Sequence, residues 1–283
     1  SMFRWIPPTS GRIRKTSSSP APAVRASWPV VRPMASAGTA SSGATRSTTG
    51  CIWSPAASTG GFKNIKIINN TIFDTFRSAI TIQAVDGGQV ENVVVDSLRS
   101  INTGNPIYLV VGERREGRRS RMDNVHISNV YAEVPATKPD AGYDYEGPTE
   151  DNPRNVSPSG IVGLQDNKIT NVSIENVEIV YPGGGNPLYA KVGLDELDKV
   201  PEMPKAYPEF SQHKELPAWG FYVRHADGVT FKNVKLTALK KDYRPAIVLD
   251  DVHNGAFTKI KVVEPSAGKK EKIHVYKSTK IKK

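Results

Sequence analysis

Cysteine is nearly missing: Cys51 is the only one in 283 residues. A single thiol makes neither a disulfide framework within the chain nor a cysteine-ligated zinc site. No apolar run approaches the roughly 20 residues that a membrane-spanning helix requires, so no membrane association is expected. The N-terminus has no apolar stretch of the kind that a secretory signal carries. Apolar residues at a 3.6-residue period are absent over any useful length, which argues against helices. The five histidines lie scattered, without metal-ligand spacing, so no metal and no cofactor are expected.

Acids and amides are missing from residues 1–59, which contain no Asp, Glu, Asn or Gln. This stretch holds six Arg, one Lys, three of the four Trp and two of the four Met. No period of 2 or 3.6 survives across it, and it reads as an irregular segment: a linker, a targeting peptide or an out-of-frame translation. The net charge of +10 is concentrated at the ends of the chain. Residues 1–59 carry +7 and residues 266–283 carry +6, leaving −3 on the body. A basic face on the folded part is therefore not expected, nor is a nucleic-acid partner.

What is present from residue 60 onward is a recurring line. It reads "KNIKIINNTI" (63–72), "ENVVVDSLRSI" (91–101), "DNVHISNVYAEV" (123–134), "TNVSIENVEIV" (170–180) and "DGVTFKNVKLTAL" (227–239). Alternating β-branched and polar residues are strand chemistry with one buried face. The asparagines suit corners, because Asn tolerates left-handed backbone. A second short apolar strand precedes each such line: "SAITIQ" (78–83), "PIYLVV" (106–111), "SGIVGL" (159–164), "GFYVRH" (220–225) and "PAIVLDD" (245–251). About six such units predict an all-β solenoid, a single-stranded parallel β-helix over 60–283. Its C-terminal end would be capped by "IHVYKSTKI" (273–281) among lysines.

Several stretches resemble glycoside hydrolase family 28, the polygalacturonase-like enzymes. They are 58–95, "NPIYLVVGERREG" (105–117), "YPE" (207–209) with "LPAWGFYVRHADGVTFKNV" (216–234), and "RPAIVLDDV" (244–252). The resemblance implies a right-handed, pectin-lyase-like β-helix in a secreted or periplasmic protein. It also implies inverting hydrolysis of α-linked pectic polysaccharides, with a polysaccharide or oligosaccharide as partner. An inverting enzyme needs an acid and a base far enough apart to hold a water. The family's Asn-Thr-Asp and Gly-His-Gly motifs are absent here, and Asp250-Asp251 is the only Asp-Asp pair. The family's Arg-Ile-Lys position reads Thr81-Ile82-Gln83. Thr and Gln cannot pair by charge with a uronate carboxylate, so a neutral sugar or an unusual linkage is an alternative substrate.

The catalytic coils would lie upstream of residue 60, where the irregular segment stands. The expectation is a hydrolase by family, truncated, with its catalytic residues unassigned. Register along the second strands places Thr81, Tyr108, Val162, Tyr222 and Val248 in one row. Gln83, Val110, Leu164, Arg224 and Asp250 form the next. The candidates for sugar contact are Gln83, Arg224, His225, Asp250 and Asp251, with Tyr108 and Tyr222 as stacking faces. A run of Arg114, Arg115, Arg118, Arg119 and Arg121 is either an anion clamp or a solvated loop balanced by Glu113 and Glu116. Two other functions stay open: a non-catalytic carbohydrate-binding or structural β-helix, and a polysaccharide lyase using calcium held by clustered carboxylates.

Overall fold

Asparagine sets the corners of this fold. Asn64, Asn69, Asn92, Asn124, Asn129, Asn171, Asn176 and Asn233 all have φ between 54° and 59°, a left-handed conformation that Asn tolerates better than most residues. Their side chains form ladders between neighbouring strands. Asn92 donates to Asn64 at 2.9 Å and Asn124 to Asn92 at 2.8 Å, across 28 and 32 residues of sequence. Asn176 donates to Asn129 at 3.2 Å and Asn233 to Asn176 at 2.9 Å, across 47 and 57 residues. Where the first ladder would continue, Gly228 takes over at φ 72°, and a Cβ there would crowd the Asn171 side chain.

The computed structural model describes residues 39–40, 43–46, 51–53, 61–136, 157–206, 210–213, 215–265 and 271–283. These residues belong to one compact unit, Pro33–Lys283. Within them run β1 (Thr39–Ala40), β2 (Gly43–Arg46), β3 (Cys51–Trp53), β4 (Phe62–Ala84), β5 (Gln89–Val111) and β6 (Arg121–Glu133). Then follow β7 (Ser159–Val162), β8 (Ile169–Gly183), β9 (Phe221–Lys240), β10 (Ile247–His253), β11 (Ala256–Val263) and β12 (Ile273–Tyr276). Among the described residues the fold is all-β, and helical content is confined to 3-10 turns such as Leu197–Lys199 and Phe210–His213.

Every pairing between these strands is parallel, and five of the strands close on themselves. β5 pairs with β6, β6 with β8, β8 with β9, β9 with β7, and β7 with β5. The result is a closed five-stranded parallel barrel with extra strands. β4 adds to β5, β10 and β11 add to β9, and β12 adds to β10. This corrects the expected right-handed parallel β-helix. The physical reason is the length and split pairing of β5 and β9. Residues 89–101 of β5 pair with β6, while Tyr108–Val110 pair with β7. Phe221–Arg224 of β9 pair with β7, and the rest of β9 pairs with β8. Strands that bend through a corner reach two neighbours each, so the ladder closes into a ring. β1, β2 and β3 also pair with β4, although no strand pattern is read before residue 60.

Alternation fills the interior. Ile67, Val95, Ile127, Ile174, Phe231 and Phe257 stand in register on six strands, all buried. Ile82, Leu109, Ile161, Val223 and Leu249 make a second interior row. Each such side chain contributes about 1.5–3 kcal/mol on burial.

A second apolar layer lies on the other face of the wall. Tyr108, Val110, Val162, Tyr222 and Val248 pack there under Leu197, Val200, Phe210, Leu216 and Ala218 of the long β8–β9 connection. That connection is pinned at both ends by one buried ion pair. Asp242 and Arg244 meet through two contacts of 3.0 Å, the Gly185 N–H donates to Asp242, and Arg244 donates to the Leu216 carbonyl. The connection thereby carries Asp198 and Glu202 to the end of the wall, where the functional candidates stand.

Candidate functional site

Two consecutive residues at the end of a strand segment supply the site twice over: Arg224-His225 in β9 and Asp250-Asp251 in β10. The register pairs Arg224 with Asp250 directly. The next residues, His225 and Asp251, both have positive φ, at 49° and 55°. The strands turn there, so adjacent residues can present side chains to one open space. That space is a cleft of about 370 Å³ lined by Gln165, Lys168, Asp198, Glu202, His253 and Lys277 as well as these four.

The cleft is a chain of alternating charges. Arg224 Nε sits 3.0 Å from Asp250 Oδ2 as an ion pair, and its Nη1 donates to the Val200 carbonyl at 2.7 Å. Tyr222 donates its hydroxyl to the same Asp250 oxygen at 2.7 Å. His225 bridges two carboxylates, with Nδ1 2.6 Å from Asp251 and Nε2 2.6 Å from Glu202. Asp251 is also bound by Lys168 and by His253, the latter at 2.8 Å. At the far edge, Lys277 and the Tyr276 hydroxyl both donate to Asp198.

These surroundings pull the carboxylates apart in acidity. Burial pushes the Asp250 carboxyl above its ordinary value, although the Tyr222 hydrogen bond and the Arg224 charge act against the rise. Burial works the same way on Asp251, but its bonds to Lys168, His225 and His253 outweigh it and hold the group low. Glu202 is likewise held low, burial being outweighed by His225 and Arg224. One carboxyl pushed up beside two held low is the kind of division that acid–base chemistry uses.

Of the seven sequence candidates, the structure brings Arg224, His225, Asp250 and Asp251 together, with Tyr222 directly behind Asp250. Gln83 is elsewhere. Its row runs Gln83, Val110, Val162, Arg224, three strand spacings or about 14 Å from Arg224. Its amide bonds Thr81 Oγ1 at 3.1 Å. Tyr108 is 2% exposed and Tyr222 1%, so neither offers an open ring face. Tyr108 instead touches His213 through its hydroxyl at 3.0 Å.

The expected rows were two residues out at β7. Gly160 stands beside Tyr108 and Tyr222, and Val162 beside Arg224. Gly160 leaves room for the Tyr108 ring, which a Cβ would meet at 2.9 Å.

Lys168, Asp198, Glu202, His253 and Lys277 were not foreseen. His253 had a signal, since it follows Asp251 by two positions on one strand. Asp198 and Glu202 had none, because the connection that carries them has no period. The arginine run is a solvated loop in which Arg114 pairs with Asp86 and Arg121 with Asp123. The stretch 207–209 lies outside the described residues, as does most of 1–59. Among the described residues, no group of three or more His, Cys, Asp or Glu is arranged to hold a metal ion.

No family model, curated protein or solved structure matches the chain. The likeness to glycoside hydrolase family 28 therefore rests on the quoted stretches alone.

Proposed function

We propose that the cleft around Arg224, His225, Asp250 and Asp251 binds a saccharide, in a polysaccharide-degrading protein of the glycoside hydrolase class. The observation that carries this reading is the alternation of cations and carboxylates along one cleft. A sugar hydroxyl both donates and accepts, and vicinal hydroxyls need donors and acceptors side by side. Lys168 with Asp251, Arg224 with Asp250 and Lys277 with Asp198 supply such pairs. Each cation already faces a carboxylate, so a uronate would find no spare partner and would meet like charge. A neutral saccharide fits this cleft better than an acidic one. If the cleft also cleaves, Asp250 in its protonated form is the acid, Arg224 then keeping Glu202 at 3.5 Å as its carboxylate, and Asp251 is the base that activates water. The lyase alternative draws less support, because Asp250 and Asp251 are engaged by separate sets of partners rather than jointly.

Calorimetry with a panel of neutral and acidic oligosaccharides tests the reading, using the parent chain with Asp250→Asn and Glu202→Gln. The expected result is binding of a neutral oligosaccharide, weakened about tenfold in each variant at a temperature where the variant remains folded. Absence of binding across the panel, or variants that bind like the parent, would overturn it. New reducing ends in the same samples place the chain among hydrolases. Binding without cleavage gives a carbohydrate-binding module, and an unsaturated product gives a lyase.

A further inference from the structure

A second concave surface lies on a different part of the wall and shares no residue with the cleft. Its volume is about 720 Å³, against about 370 Å³ for the cleft. Parallel register sets Thr71, Arg99, Tyr131, Glu178, Lys235 and Lys261 in one row across β4, β5, β6, β8, β9 and β11. Five strand spacings make this groove about 24 Å long. A groove of that length suits a polymer rather than a small molecule.

Its chemistry changes along its length. Beside the row run the corner residues, Asn69, Ser97, Asn129, Asn176 and Asn233, which present amides and a hydroxyl. In the middle, the Arg99 guanidinium lies 5.0 Å over the Tyr131 ring. Lys235 is paired with Glu178 at 2.7 Å. At the β11 end stand Lys259 and Lys261, which have no carboxylate partner among the described residues. Four cations thus face one carboxylate.

Lys259 carries a second signal. It occupies the corner position that Asn69, Asn129, Asn176 and Asn233 hold on earlier strands, with the same left-handed backbone at φ 55°. Lys adopts that conformation less readily than Asn. Its place there is not explained by the backbone, and it puts an ammonium beside that of Lys261.

From this we propose that the groove binds an anionic polysaccharide, laid across the strands with its acidic groups at Lys259 and Lys261 and its hydroxyls along the amide corners. The inference does not depend on how the cleft is read. A nucleic acid is the poorer fit, since it needs cations spaced along its phosphates and open aromatic faces for its bases. Here the unpaired cations gather at one end and the Tyr131 ring is already covered.

The test uses alginate as a carboxylated probe and dextran sulfate as a sulfated one. Neutral dextran and a single-stranded oligonucleotide serve as comparators. The full chain is compared with the double variant Lys259→Asn/Lys261→Gln, in which Asn suits the corner. The expected result is binding of at least one acidic glycan but not dextran, weakened by salt. The double variant should bind about tenfold more weakly, with the melting temperature unchanged. Alginate or dextran sulfate binding alone would tell carboxylate from sulfate selectivity, either supporting the groove. Unchanged affinity in the double variant, dextran binding that the double variant weakens equally, tighter binding of the oligonucleotide, or no binding of either acidic glycan would overturn it. Loss in Glu202→Gln instead of the lysine pair would move the acidic glycan to the cleft and also overturn the groove.

Discussion

Gly163 shows how tightly single residues are constrained around the cleft. Its N–H donates to the Arg224 carbonyl at 2.9 Å, and a Cβ would overlap the His225 carbonyl oxygen. Gly163→Ala should cost about 2 kcal/mol in urea denaturation and weaken whatever the cleft binds. His213 offers a test by pH. Burial of the ring, helped by the Arg224 charge, pushes it down to about 4 from the ordinary 6.5. A group whose folded value is lowered in this way keeps its stability contribution above 6.5 and loses it as pH falls toward 4, because only the unfolded chain takes up the proton. His213→Gln should flatten the melting temperature over that window relative to the parent. The carboxylates divide by sign. Asp251 and Glu202, held low, stabilise the fold above the ordinary carboxylate range and cease to do so in acid. Asp250, pushed high, does the reverse: its contribution is full below 3.8 and is lost as pH rises through its folded value.

Among elements, the β8–β9 connection depends on the Asp242–Arg244 pair. Both side chains are buried, and Arg244 outweighs the burial that would otherwise raise the Asp242 carboxyl, holding it below 3.8. Removing one partner strands the other charge. Asp242→Asn should therefore lose about 3 kcal/mol by denaturation and loosen the connection to limited proteolysis. The strands themselves were legible in the sequence. Val125, Ile127, Val172 and Ile174 alternate with polar neighbours and are all buried, and the asparagines sit at corners as their chemistry suggests. The pairing of Arg224 with Asp250 was also legible, because "YVRH" and "VLDD" share one pattern. Glu202 and Asp198 were not, since a loop held by a buried ion pair leaves no period to read. The misplacement of Val162 and Leu164 has a similar cause: "SGIVGL" offers two registers, and the choice is made by the Tyr108 ring lying against Gly160.

Taken whole, the molecule is closed by its shortest barrel strand. β7 has four residues, yet it alone joins β5 to β9 within the barrel. Ile161, buried in that strand, should cost about 3 kcal/mol when changed to Ala. Calorimetry should still show one transition, because the ring gives no point at which half the barrel can open alone. This closure was not legible from the repeat, which describes each unit beside its neighbour and not a strand serving two. The asparagine ladders have a further consequence for anyone wishing to build on this protein. Neighbouring rungs keep one register whether 28 or 57 residues of chain lie between them. Sequence length between rungs is thus a free variable, and alignment is not. A foreign peptide grafted at Leu188, which is 90% exposed, would ride on the outside of the fold as cargo. The scaffold could then display an antigen or a reporter without being redesigned.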